Sequence, residues 1–497
     1  MKQRILDLMQ RKNYQPSDSF WLQRELKEDS KDRVVQALAS LEAEGLIIRN
    51  KRQKYELAEG KNYARGILDL KTAGYGFLLA EDGGEDLFIP RNKTLDAFSG
   101  DTVLARITPF ANGNRREGEV LKVIKRALEH IVGEYYQGAI FPKGGHDNVF
   151  FRVTTKPKGI LDHALVKGKI VKYGKQNIVD CEITELFGHR DDPGIEIIEV
   201  IRRLEIPYEF AQPTIADLDS VPDEVLAIEH KGRQDLRDQL IFTIDGDDTK
   251  DIDDAIALEI LRNGNFRLGV HIADVSHYVR EGSALDEEAC LRGTSVYLAD
   301  RVVPMLPRKL SNGICSLNPE VDRLAVSCVM EINSQAEVLG YEIFPSIIRS
   351  RQQLTYSECN KILAGDVSEA ITDPAIIASL RQMADLAAIL RRVRTELGSI
   401  DLEMIEPKIA FDSEGHVADI KIRDRGVSER LIEEFMLVAN QVVASDIQAR
   451  EFPFIYRIHE KPDGEKLTSL FQFARELGYV GRSEERRVGK ECRSRRS

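Results

Sequence analysis

The spacing of apolar residues changes along the chain, and each change marks a candidate domain. In residues 1–59 the spacing is helical: Ile5, Leu6, Leu8 and Met9 form one stripe, and Val34, Val35, Leu38 and Leu41 another. Asp18 or Ser19 can cap a helix running through Leu26, and Asp29 or Ser30 can cap the next. Gly45 then stands where a helix stops, in the C′ position. Leu46–Ile48 and Tyr55–Leu57 read as two strands around a basic turn of Arg49, Lys51, Arg52 and Lys54. Between residues 62 and 126 the period falls to two, in short segments split by Gly, Asp and Asn, which predicts a small barrel. Residues 129–187 repeat that pattern less regularly, with Lys143, Arg152, Lys156 and Lys158 adding positive charge. From Ile195 to Val480, strands around FRLGVHIADV and RLAVSCVMEI mix with amphipathic helices at 374–397 and 428–448.

The predicted fold class is multidomain α+β. Residues 1–59, three helices and a hairpin, resemble a winged helix. Its basic turn suits nucleic acid, or else is the solvated edge of a protein-contact module. Residues 60–127 and 128–190 are expected to be two cold-shock or OB-type barrels, and 195–480 a mixed α+β domain. GYGFLLAEDGGEDLFIP resembles a cold-shock OB-fold. There Tyr75, Phe77 and Phe88 would lie on adjacent strands as an outward platform for stacking bases. Gly74 and Gly76 between them thin the surface where a ligand backbone approaches.

Composition narrows the classes. Hydrophobic residues make up 42% and charged ones 31%, and no apolar run is long enough to span a bilayer. The N-terminus lacks the apolar core of a signal peptide. Six scattered cysteines without a CxxC pair argue against zinc ribbons and a disulfide framework, and fit reduced thiols in a cytoplasm. The net charge of −12 speaks mildly against nucleic acid, but binding depends on local basic surface. From Gly481 the chain reads GRSEERRVGKECRSRRS, which cannot build a core. It resembles a translated sequencing adapter, so residues 481–497 are expected to be an artefactual or disordered tail on a truncated chain.

The chemistry concentrates in FTIDGDDTKDIDDAIALE, with six aspartates between Asp245 and Asp254. An acidic run is ordinarily a solvated loop. Here Ile241, Phe242 and Ile244 lead in, and Ile252, Ala255, Ile256 and Leu258 lead out. Such flanks hold carboxylates together and partly dry, a repulsion that a cation relieves. Asp245, Asp251, Asp253 and Asp254 are the candidate ligands. EF-hand spacing is absent, and all-oxygen ligands select a hard ion, magnesium or manganese. Such ions can activate water and stabilise a leaving phosphate oxygen. Ser316 and Cys315 have no partnered base, so covalent nucleophilic catalysis is not expected. His271, His277 and His459 show no metal-ligand spacing and read as structural.

TIDGDDTKDIDDA, LGVHIADVSHYV, GTSVYLADRVVPMLPRKLSNGICSLNP, LIEEFMLVAN and IYRIHEKPDGEKL together resemble the ribonuclease II/ribonuclease R family. The N-terminal helices ahead of two barrels look more like ribonuclease R. The resemblance implies a processive, magnesium-dependent 3′→5′ exoribonuclease that releases nucleoside 5′-monophosphates from single-stranded RNA with a free 3′ end. It implies a cytoplasmic monomer with no membrane contact. On this resemblance Asp245, Asp251, Asp253 and Asp254 match the active-site aspartates, Asp251 and Asp253 being catalytic and Asp253 the one whose loss stops hydrolysis. Tyr297 matches the tyrosine that packs on the 3′ base. Glu434, with Glu433 beside it, is expected to hold ribose or a ligand water.

The family's arginine-rich segment and its terminal OB-fold find no match before the tail. The chain is therefore expected to be catalytically impaired, with apolar faces of the helices at 428–448 and 464–477 exposed. The alternative is a non-catalytic RNA-binding protein with an inert nuclease-like core, and a DNA nuclease is a third reading.

Overall fold

The computed structural model describes residues 1–11, 13–50, 52–58, 63–71, 73–80, 86–108, 116–143, 149–155, 157–174, 178–399, 406–412, 414–422, 425–458 and 460–478. Lys51, Lys156, His459 and the tail from Gly481 lie outside the described residues. The chain divides into two compact units. One comprises Met1–Asp219, Glu281–Pro307 and Met404–Arg423, the other Ser220–Arg280, Arg308–Glu403 and Asp424–Ser497.

In the first unit, helices Lys2–Met9, Ser19–Glu25 and Lys31–Ala43 pack with the hairpin Ile47–Arg49/Tyr55–Leu57. The Asp18 carboxylate accepts the Trp21 N–H at 2.8 Å, and Ser30 caps the third helix through Arg33. Gly45 takes φ +69°, the left-handed conformation that ends the helix. A Cβ there would also lie 2.2 Å from Ile124 of the adjoining barrel, so the position excludes side chains on two grounds. Ile5, Leu8, Leu22, Val34, Leu38, Leu41 and Ile47 form the core of this module. Val35 departs from expectation: it is 41% exposed, because the buried stripe runs through Val34, Ala37, Leu38 and Leu41.

Two closed five-stranded barrels follow, as the alternating period predicts. The first contains Tyr63–Leu70, Gly76–Ala80, Leu87–Ile89, Thr102–Thr108 and Glu117–Lys125. Its interior holds Leu68, Leu78, Leu87, Ile89, Val103, Ala105 and Val120. The second spans strands from His130 to His189 and is filled by Ile131, Tyr135, Ile140, Phe151, Val166, Val179 and Cys181.

The second unit is built on an antiparallel sheet, ordered Val338–Arg349, Asp322–Ile332, Phe266–Ala273, Asp254–Ile260, with the short Gln234–Asp235 parallel at one edge. One face buries Ile256, Leu268, Val270, Cys328 and Met330 against Leu380, Met383 and Leu386 of helix Pro374–Glu396 and Leu431, Phe435 and Val438 of helix Val427–Ala449. Helix Val427–Ala449 was expected to carry an exposed apolar face. That face is instead the centre of this core, with Leu431 and Phe435 fully buried. Helix Gly464–Glu476 does carry exposed Leu470 and Phe473, and Phe452, Ile455 and Ile458 before it are exposed too. The opposite face of the sheet is lined by Ala255, Ala257, Ala273, Ala325 and Ile348, with Ile241, Ile252 and Leu317 packed against them. No described helix is long and apolar enough to cross a membrane.

Candidate active site

The acidic segment links two anchored strands. Thr243–Asp245 pairs in parallel with Gln353–Thr355, which sets Asp245 opposite Thr355. Asp254 opens strand Asp254–Ile260 and is paired with Ile272. Between them Ile252 is fully buried, as are Ile241, Phe242, Ala255 and Ile256. The apolar flanks therefore act as the sequence suggests. They hold the chain at both ends, and the aspartates are left at the boundary between core and solvent.

The carboxyls feel one another. Burial pushes Asp245 up to about 7, and Asp254, Asp253 and Asp251 add to that rise. Asp254 is pushed up to about 6 by burial and by Asp253. Asp253 is also raised, by burial and then by Asp251, although its side chain reaches the surface; the surrounding protein removes enough water to disfavour the charge. One carboxylate oxygen of Asp245, Oδ2, is buried with no hydrogen-bond partner. A buried, unsatisfied carboxylate among like charges is the condition a cation relieves. Among the described residues, however, no group of three or more His, Cys, Asp or Glu side chains is placed to hold a metal ion. The segment offers an ion carboxylates that are near enough to raise one another's pKa, one or two at a time rather than as a set of three. Magnesium accepts such a site, taking one or two carboxylates and completing its shell with water and substrate phosphate.

The other expected residues separate by role. Glu434 is only 4% exposed, and both its carboxylate oxygens are taken by Arg394, which donates from Nε at 3.1 Å and from Nη2 at 2.5 Å. This pairing ties helix Val427–Ala449 to helix Pro374–Glu396, so the geometry supplies a structural use for Glu434. Glu433 pairs with Arg425. Tyr297 is 68% exposed, on the short strand Val296–Tyr297. Tyr75, Phe77 and Phe88 form one cluster on the outside of the first barrel, with ring centroids 5.6–6.0 Å apart. Phe77 and Phe88 are direct cross-strand partners, and the residues alternating with them, Leu78, Leu87 and Ile89, point inward. Arg49 of the basic hairpin is engaged, pairing with Glu42 at 3.1 Å and lying over the Tyr55 ring. Cys315 is buried and its thiol is pushed up to about 12, which makes it a poor nucleophile.

His271 and His277 read as structural in the sequence, but the polar partners that hold them were missed. Arg233 and Asp274, both nearly buried, pair at 2.5 Å; His277 joins through Arg233 and Glu229. His271 is fully buried, with Nδ1 2.7 Å from Ser327 Oγ, which lies 2.6 Å from Ser346 Oγ. Ser346 donates to the Ala325 carbonyl, so Ser327 donates to Ser346 and His271 donates from Nδ1. Nε2 is left as a bare, buried acceptor. Burial lowers the pKa of His271 to about 4. The only prior signal was position: His271 sits in LGVHIADV at a core-facing place in the strand.

Residues 233–494, more than half of the chain, match the RNB domain. The chain belongs to the ribonuclease II/R family. Residues 66–123 match the Ribonuclease B OB domain and 146–211 the Cold shock domain. The chain is similar to Ribonuclease R 1 of Lactococcus lactis, 41% identical over 89% of this chain and 57% of that one. It is 39% identical to Ribonuclease R of Thermotoga maritima, over 90% of this chain and 64% of that one. It therefore spans less than two thirds of the length of these relatives. Its fold matches Mycoplasma genitalium RNase R at 28% identity, over 84% of this chain and 66% of the other. The TM-score is 0.77 for the apo form and 0.75 for the complex with ribose methylated single-stranded RNA.

Proposed function

We propose that the protein hydrolyses single-stranded RNA from a free 3′ end, releasing nucleoside 5′-monophosphates, with Asp245, Asp251, Asp253 and Asp254 as the acidic centre. The observation that carries this is the set of mutually repelling, partly buried carboxylates with one orphaned oxygen, in a chain of this family. Asp253 is the member that reaches the surface, which suits it to face the scissile phosphate. Asp245 and Asp254 lie deeper and supply negative charge that holds a divalent cation. Magnesium or manganese bound there would supply an activated water and charge stabilisation for the leaving oxygen. Tyr297 offers an exposed ring for the terminal base. The Tyr75, Phe77 and Phe88 cluster offers a sequence-tolerant surface for bases further along the strand, in keeping with the RNA seen bound to the Mycoplasma relative. A cytoplasmic monomer fits this reading.

The test is incubation of the purified protein, extended to the full length of its relatives, with uniformly labelled single-stranded RNA and magnesium. Release of mononucleotides from the 3′ end supports the assignment. Retention of intact RNA by a protein that binds it supports the non-catalytic alternative. Replacing Tyr75 by Ala should weaken RNA binding by about 1–3 kcal/mol, measured by fluorescence anisotropy, without changing the fold.

A further inference from the structure

Ser316 is fully buried at the end of the π-helical turn Lys309–Ile314, and it faces the acidic segment. Its hydroxyl donates to the Lys250 carbonyl at 2.9 Å and accepts the Ile252 N–H at 3.0 Å. The next residue, Leu317, donates its N–H to the Ile252 carbonyl at 2.9 Å. Three hydrogen bonds thus grip the backbone on both sides of Asp251 and immediately before Asp253. Further along, the Asp253 carbonyl accepts the Ala273 N–H at 2.9 Å. Ser316 is itself held: Arg323, only 7% exposed, donates from Nε to the Ser316 carbonyl at 2.7 Å and from Nη1 to the Asp322 carbonyl at 2.9 Å.

We propose that Ser316, locked in place by Arg323, is the positioning residue of the acidic centre. Six aspartates within ten residues repel one another, and a loop free to move would splay them into water. The Ser316 hydroxyl opposes that movement because one atom bonds a part-buried carbonyl and a buried N–H together. Alanine would leave both unsatisfied, whereas threonine keeps the hydroxyl. The inference rests on reading the aspartates as a cation-binding centre, but the grip on the backbone can be measured without any cation.

The test compares the unmodified protein with S316A and S316T by amide hydrogen exchange, without RNA or metal, and by manganese binding followed by electron paramagnetic resonance. In S316A, exchange at Ile252 and Leu317 should accelerate by about tenfold or more. Exchange in helix Pro374–Glu396 should stay at its original rate. S316T should retain slow exchange at the loop. Manganese affinity should fall about tenfold or more in S316A and recover in S316T. Unchanged loop exchange in S316A would overturn the proposal. Equal acceleration throughout the central sheet would also overturn it, since Ser316 would then be a general core residue. Loosened loop exchange with unchanged manganese affinity would show that the grip does not position the carboxylates. If the unmodified protein binds no manganese, the cation reading itself falls, and with it the role assigned to Ser316.

Discussion

Two sets of buried carboxylates in the same unit obey opposite rules. Glu434 is buried and fully satisfied: Arg394 takes both oxygens. Asp245 is half-buried, surrounded by Asp251, Asp253 and Asp254, and has an oxygen without a partner. Folding alone favours the first arrangement, because an unpaired buried charge costs several kcal/mol. On the proposed function, the second persists because it holds negative charge ready for a divalent cation. Both stretches are acidic in sequence, and only the partner separates a tie between helices from a set of mutually repelling carboxylates.

Breaking the reactive set should have the largest consequence. Asp253→Asn should reduce RNA hydrolysis by at least about 10²–10³-fold, the scale of removing one group that stabilises a transition state. RNA affinity should remain near its original value, since stacking and phosphate contacts supply it. Mononucleotide release and anisotropy measured on one sample check both halves. An equal loss of binding and rate would count against this role for Asp253.

Breaking the satisfied set should act on stability instead. Glu434→Ala removes both hydrogen bonds that Arg394 makes to the Glu434 carboxylate and should destabilise the fold by about 3 kcal/mol, the low end of the range because Arg394 is 36% exposed. Urea unfolding measures this. A loss below about 1 kcal/mol would place the pair with ordinary surface bridges.

His271 sharpens the comparison, being buried, satisfied on one side and neutral. Its pKa of about 4 lies below the unfolded value, so the unfolded chain binds the extra proton more readily between those pH values. The stability that His271 contributes is therefore full above about pH 6.5 and is lost as pH falls toward 4. The loss should be on the order of 3 kcal/mol. Urea midpoints across that range measure it, and the excess slope should vanish in His271→Leu even if that variant is less stable throughout.

The smallest effect should have the opposite sign. Asp245 has its pKa raised to about 7, so its burial penalty is absent near pH 4 and grows as pH rises through 7. In metal-free buffer at pH 8, Asp245→Asn should stabilise the protein by about 1 kcal/mol after allowing for solvent screening. Magnesium should stabilise the original protein and not the variant. Destabilisation by Asp245→Asn without metal would mean that the carboxylate has a native partner.

The sequence by itself determined the local structure and the chemistry on offer. Caps within the pairs Asp18/Ser19 and Asp29/Ser30, the left-handed stop at Gly45, the alternating barrel strands and the apolar flanks of the aspartates all depend on neighbours a few residues away, which periodicity and turn chemistry record; the structure chose Asp18 and Ser30. The outward aromatic cluster was legible for the same reason, since a period of two fixes which side of a strand faces in. Val35 was misplaced because a helical stripe of 3.6 residues per turn admits two neighbouring registers, and only packing chose Val34 and Ala37. The tertiary structure decided everything that depends on distant partners. Arg394 reaches Glu434 across 40 residues, Ser316 reaches Ile252 across 64, and His271 reaches Ser327 across 56. No local pattern encodes such pairings. They arise when the sheet and its helices close around the core, and that closure decides which buried polar group is satisfied and which is left without a hydrogen-bond partner.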